Sequence, residues 1–214
     1  MAGFTDSAMR KTCLSHHCGL VYTEVTHSEG LVRNNGITVH MLTTAPDERP
    51  IAGHIYGSVP EVMANAARII HGMNRFDLID INCVCPVRKI VEKGAGAALM
   101  AKPEKIAAIV KAVREAVPLP VTVKTRIGLK PDAMNISEIL HAVEEAGGNA
   151  LAIHARFASN RHKGKAQWKI IEKIKSEAKI PIIGNGDVVL APDAIRMFKE
   201  TGVRAMDVAK RILD

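Results

Sequence analysis

Aromatic residues are nearly absent from this chain of 214 residues: they make up 3%, with one Trp, two Tyr and four Phe. Any core must therefore be aliphatic, built of Ile, Val, Leu, Ala and Met within a hydrophobic fraction of 47%. Cysteine is scarce too. Four in a chain of this size do not make a disulfide scaffold, and reduced thiols in a cytoplasm fit better. No apolar run reaches about 18 residues, which excludes an obvious membrane-spanning helix. No basic start followed by an apolar stretch marks a signal peptide. No linker, low-complexity tract or short repeat divides the sequence, so one domain over residues 1–214 is expected. Nothing in the sequence points to a stable protein partner.

Positive charge is what the chain has in excess, +7 net with a pI near 9.3. That favours a polyanionic partner such as nucleic acid. The excess is uneven: eight basic residues lie between Arg156 and Lys179, against only Glu172 and Glu177. A solvated helix face is the competing account of such a run.

Short β-branched strands alternate with helical periods along the whole chain. Strands are expected at Leu20–Glu24, Ile51–Ile55, Leu78–Asn82, Val121–Lys124, Ala150–His154, Ile180–Asn185 and Ala205–Ala209. Pro103 and Glu104 suit a first helical turn, and Ile106, Ile109, Val110 and Val113 make one apolar stripe behind them. Ser137 is expected to cap the next helix, which Gly147 and Gly148 end. Pro192 and Gly202 bracket another. Strands apolar throughout are buried on both faces, as parallel sheets require. Glu24, Asn82, Lys124, His154 and Asn185 each stand at a strand's end, on five different strands. In an open sheet ligand residues gather at one switch point, whereas in a barrel every strand end converges on one mouth. A (β/α)8 TIM barrel is therefore expected. Seven strands and a start in a loop make it one truncated at both ends.

Several strand ends carry chemistry. Ile79-Asp-Ile-Asn82-Cys83-Val-Cys85-Pro86 is a strand that breaks into thiols and a proline, with Arg88 and Lys89 behind it. Lys124 ends the next strand. A cation there can hold a phosphate or the anionic edge of a flavin, or it can pair with a barrel carboxylate. His154 and Arg156, two apart, can point into the same mouth. Gly184-Asn185-Gly186-Asp187 lets backbone amides approach a phosphate or ribityl chain, and Asp187 could accept a ribityl hydroxyl. An ordinary strand-to-helix turn would look the same. Cys83 and Cys85 alone are too few to bind zinc. Cys13, His16, His17 and Cys18 cluster at a probable helix, but core or surface roles outweigh a metal there.

In order along the chain, MAGFTD, AGHIYGSVPEVMANAA, DINCVCPVRKIVEKGAGAALM, PVTVKTRIG, HARFASNRHKGKAQW and PIIGNGD closely resemble the tRNA-dihydrouridine synthases. The resemblance implies an FMN-bearing barrel, reduced by NADPH, that converts tRNA uridine to 5,6-dihydrouridine. It implies Cys85 as the proton donor, a role that suits a thiol of pKa about 8.5. By the same likeness Asn82 contacts uracil or RNA, and Lys124, His154, Asn185, Gly186 and Asp187 contact the flavin. Met1 and Ala2 match a segment under the flavin, and Arg156, Arg161, Lys163 and Lys165 face RNA. The sequence departs from the family pattern at Val84, where a Gly precedes the cysteine, and at His54, where a Gln touches the flavin. Ala209-Lys210 replaces a phosphate-binding Gly-Arg, exchanging a bidentate guanidinium for a point charge. The family's first strand and its C-terminal helical domain have no counterpart in the sequence. Two rivals share these residues: a catalytically impaired RNA-binding or structural remnant, and a flavin barrel reducing a small non-RNA substrate.

Overall fold

The computed structural model describes residues 3–208. Its strands are β1 (Val21–Tyr22), β2 (Thr26–His27), β3 (Ile51–Tyr56), β4 (Leu78–Asn82), β5 (Val121–Arg126), β6 (Ala150–His154), β7 (Ile182–Asn185) and β8 (Ala205–Asp207). All pair in parallel, in the order β1-β3-β4-β5-β6-β7-β8, with β2 also on β3. Helices precede and separate them: α1 (Ser7–Ser15), α2 (Ser28–Val32), α3 (Gly36–His40), α4 (Pro60–Gly72), α5 (Arg88–Val91), α6 (Pro103–Ala116), α7 (Ile136–Glu145), α8 (Trp168–Glu177) and α9 (Ala191–Thr201). The sheet curls into a TIM-type α/β barrel. Among the described residues no pairing joins β8 to β1.

The strand expected over Leu20–Glu24 is broken. Tyr22 pairs with Ala52 and Thr26 with Ile55, so β1 and β2 spend one more residue than β3 over the same stretch. An extra residue bulges a strand and turns its side chains. Here it frees the Glu24 carboxylate to accept from the backbone N–H groups of Gly3 at 2.8 Å and Thr5 at 2.6 Å. The strand expected from Ile180 begins at Ile182, because Pro181 has no N–H for the ladder.

Helix punctuation follows simple chemistry. Pro103 opens α6, whose Ile106, Ile109, Val110 and Val113 are fully buried against the sheet. Each such side chain contributes about 1.5–3 kcal/mol on burial. Pro192 sits in the first turn of α9, and Gly202 ends that helix in the left-handed conformation. Asn135, not Ser137, stands at the N-cap of α7; Ser137 lies inside the helix and its hydroxyl bonds Glu177 at 3.1 Å. Between the sheet and the helices, Ile51, Ile55, Ile79, Ile81, Val121, Val123, Leu151 and Ile153 are all inaccessible, an aliphatic core without a Trp or Tyr among them.

A second polar anchor lies away from the strand ends. Arg10 and Glu48 are both buried and bond at 2.6 Å, with Ser7, Ala45, Thr5 and Thr43 satisfying their remaining groups. This ties α1 to the segment before β3. No described helix is long and apolar enough to cross a membrane.

Candidate active site at the carboxyl ends of the strands

Side chains two residues apart on a strand share a face. That period carries His54 on β3, Asp80 and Asn82 on β4, Lys124 and Arg126 on β5, His154 on β6, Asn185 on β7 and Asp207 on β8 to one end of the barrel. The register makes neighbours of Asn82 and Lys124, of Arg126 and His154, of His154 and Asn185, and of Asn185 and Asp207.

Cys85 stands three residues past the end of β4, half-buried, on a loop that is fastened from several sides. The Asn82 Oδ1 atom accepts from the N–H groups of Val84 at 3.2 Å and Cys85 at 3.1 Å. The Cys85 carbonyl accepts from the Ala97 N–H at 2.9 Å. Gly96 allows that approach: its φ is +58°, and a Cβ on it would lie 2.7 Å from the Cys85 oxygen. Arg126 donates from Nε to the Val84 carbonyl at 3.2 Å and from Nη1 to the carbonyls of Phe157 and Arg161. It thereby staples the cysteine loop to the loop after β6. Cys83 differs from Cys85. It is fully buried, and burial followed by the nearby Asp80 pushes its thiol far up. Only Cys85 of this pair is placed to exchange a proton with a bound molecule.

The cationic part of the site is built around Lys124. Its Nζ donates to Asn185 Oδ1 at 3.0 Å and lies 3.5 Å from Asp207 Oδ2. Burial lowers the Lys124 pKa, opposed by Asp207 and Asp80. The carboxylate partner left open by the sequence is thus Asp207, whose backbone carbonyl also accepts from Asn185 Nδ2 at 2.6 Å. Burial pushes Asp80 up to about 7, against the Thr122 hydroxyl that donates to it at 2.6 Å. His154 is driven down to about 2 by burial and then by the surrounding cations. It is neutral, and its Nε2 lies 3.1 Å from Arg156 Nη1. A guanidinium can only donate, so the imidazole proton sits on Nδ1.

Arg156 belongs to this interior rather than to an RNA-facing rim. Its side chain is 7% exposed, and besides His154 it bonds the Gly164 carbonyl and Asp187. The same Asp187 carboxylate accepts from the Ala166 N–H at 2.6 Å, so it already serves two protein donors. Gly186 has φ +115° and its carbonyl accepts from Trp168 Nε1 at 2.9 Å. Arg161, Lys163 and Lys165 are exposed on the loop beside this end of the barrel. Met1, Ala2, Ala209 and Lys210 lie outside the described residues. Among the described residues no three His, Cys, Asp or Glu side chains are grouped to hold a metal.

Four participants escaped the sequence-based selection: Asp80, Thr122, Arg126 and Asp207. The period of two that singles out Asn82 and Lys124 also reaches Asp80, Thr122 and Arg126, so that signal was present. Asp207 is defined only by its pairing with β7.

The dihydrouridine synthase family model matches residues 1–214. A probable tRNA-dihydrouridine synthase of Treponema pallidum is 36% identical over 219 residues, covering 98% of this chain and 64% of that protein. Another from Aquifex aeolicus is 36% identical, covering 100% of this chain and 67% of its own length. A tRNA-dihydrouridine synthase B of Xanthomonas axonopodis is 35% identical, at 98% and 63%. The chain thus spans about two thirds of these relatives. Among solved structures, 2,3-dimethylmalate lyase, a PEP mutase/isocitrate lyase superfamily member, superposes with a TM-score of 0.56 at 13% identity, over 94% of this chain and 71% of that one. That likeness concerns the barrel alone. The ordered strand-end residues and a match running from the first residue to the last carry the assignment: this chain belongs to the dihydrouridine synthase family.

Proposed function

We propose that this chain forms the catalytic barrel of a tRNA-dihydrouridine synthase, reducing tRNA uridine to 5,6-dihydrouridine in the cytoplasm with FMN as cofactor and NADPH as reductant. The observation that carries this reading is the half-buried Cys85 thiol on a loop pinned by Asn82, with Lys124 paired across the strands to that same Asn82.

The donors here suit a flavin ring. Lys124 offers a buried ammonium, His154 a neutral ring with its proton on Nδ1, and Asn185 a carboxamide, and a flavin's oxidised edge is rich in acceptors. Lys124, His154, Asn185 and Gly186 would hold the ring, with Lys124 opposing the negative charge that the ring gains on reduction. When bound, FMN supplies the hydride that reaches uracil C6. Cys85 then delivers its proton to C5, completing addition of hydrogen across the double bond and leaving a thiolate that takes a proton back from solvent. Asn82 and Arg126 hold the loop so that the thiol needs no reorganisation at that moment. Lys163 and Lys165, with Arg161, offer exposed charge to an RNA backbone, and the target uridine must leave its stack to reach the thiol.

The test is an FMN titration followed by flavin fluorescence, then a count of dihydrouridine formed in tRNA with NADPH present. Stoichiometric binding and a fall of about 10²–10⁴ in turnover for Cys85→Ala are expected from loss of the acid. Failure to bind FMN would refute the assignment for this chain. Full turnover in Cys85→Ala would refute the role of the thiol.

A further inference from the structure

The hydrogen bonds around Asn82 determine more than they first suggest. The N–H groups of Val84 and Cys85 point at one and the same atom of its carboxamide, at 3.2 and 3.1 Å. Only an oxygen accepts from two donors, so the oxygen faces the cysteine loop and the NH2 group faces the other way. There it meets His54 Nε2 at 3.0 Å. A donor arriving at that nitrogen requires a lone pair on it. The His54 proton therefore sits on Nδ1, and the ring is neutral. Burial, reinforced by Lys124, pushes the His54 pKa down to about 3, in the same sense.

Among the described residues no other group takes this position from Asn82. Asp80 Oδ2 lies 3.6 Å from His54 Nε2, beyond hydrogen-bond range, while the other Asp80 oxygen is held by Thr122 at 2.6 Å. Among the described residues His54 Nδ1 has no hydrogen-bond partner, so among them the tautomer is decided at Nε2. If the ring carried its proton on Nε2, two donors would face each other at 3.0 Å. The carboxamide would then turn and withdraw its oxygen from the Val84 and Cys85 amides.

We infer that His54 is a positioning residue for the Cys85 loop: the lone pair on its Nε2 sets which way the Asn82 carboxamide faces, and the carboxamide sets the backbone that carries the thiol. Its consequence for turnover rests on the assignment of Cys85 as proton donor; its structural part does not. The side chain that replaces His54 without loss must place an acceptor where Nε2 stands. Glutamine does so through Oε1. Asparagine is a bond too short, and leucine has no acceptor.

The test is amide hydrogen exchange on the full chain, read at Val84 and Cys85 in the wild type, His54→Gln, His54→Leu and His54→Asn. Losing the orienting bond should speed exchange at both amides about fivefold in His54→Leu and His54→Asn. His54→Gln should stay close to the wild type. Amides within β4, at Ile79 and Ile81, should not change in any variant, which separates lost positioning from general loosening. Unchanged exchange at Val84 and Cys85 in His54→Leu, or a uniform rise through β4, would overturn the inference. If exchange responds as described while Cys85→Ala still makes dihydrouridine, the positioning stands and the role of the thiol falls. If exchange is silent while Cys85→Ala stops turnover, the positioning falls and that role stands.

Discussion

Replacing Gly96 with alanine would probe the cysteine loop without touching the thiol. Gly96 has φ +58°, and holding an alanine in the left-handed region costs about 1–2 kcal/mol. The added Cβ would also stand 2.7 Å from the Cys85 carbonyl oxygen and 2.8 Å from Ile90 Cγ2. The Ile90 side chain can rotate away. The carbonyl is backbone, and it already accepts from Ala97 at 2.9 Å, so relieving the contact weakens a bond with a net value of about 0.5–1.5 kcal/mol. Together these predict a loss of about 1.5–3.5 kcal/mol. Gly202 provides the control, since its φ is +69° and nothing lies within 4 Å of its would-be Cβ. Gly202→Ala should therefore cost only the conformational part, about 1–2 kcal/mol. Urea unfolding of both variants measures the difference, and iodoacetamide labelling of Cys85, followed by peptide mass, reports whether the loop has moved. A Gly96→Ala protein no less stable than Gly202→Ala, with unaltered labelling, would refute the close contact between this turn and the cysteine.

Asp80 should make stability depend on pH. Its folded pKa of about 7 lies above the ordinary carboxylate value, so between about pH 4 and 7 the folded state holds a proton that the unfolded state has lost. Stability contributed by this group is present in acid and is lost as the pH rises through 7; Asp80→Asn, which keeps an acceptor for Thr122, should flatten the slope in urea titrations at pH 5 and 8, and parallel slopes would contradict it. Asp207→Asn should tighten FMN binding about tenfold, because it removes the carboxylate that competes with the flavin's acceptor edge for Lys124. Fluorescence titration checks this, and an equal Kd would show that the pair does not limit affinity. Glu48→Gln should cost about 3–5 kcal/mol, since it leaves the buried Arg10 guanidinium without its counter-charge. A thermal or urea midpoint within error of the wild type would count against that pairing as an anchor for α1.

Most of the barrel was legible because its signals are local. A β-branched run, a proline at a helix start or a glycine past a helix end each acts on the backbone within a turn of itself. The strands at Leu78–Asn82 and Ala150–His154 match their expected bounds for that reason. The first strand did not, because its break depends on a one-residue mismatch with β3 that is invisible without the partner. Ser137 and Asn135 both suit an N-cap chemically, and the path of the chain into α7 chose between them.

The site divides in the same way. That polar side chains end several strands, and that one of them leads into a thiol, follows from the sequence alone, since a period of two assigns each residue to a face. Which group each polar atom meets was decided by the fold. Arg156 carries the same charge as Lys163 and Lys165, yet it turns inward onto Asp187, His154 and the Gly164 carbonyl while they remain exposed. Lys124 finds Asp207 only because β7 lies between β6 and β8, 83 positions along the chain. The facing of the Asn82 carboxamide depends on a histidine 28 residues away. Residue type and strand periodicity are properties of the chain itself, but hydrogen-bond partners act over about 3 Å, and only the closing of parallel strands side by side brings them within that distance.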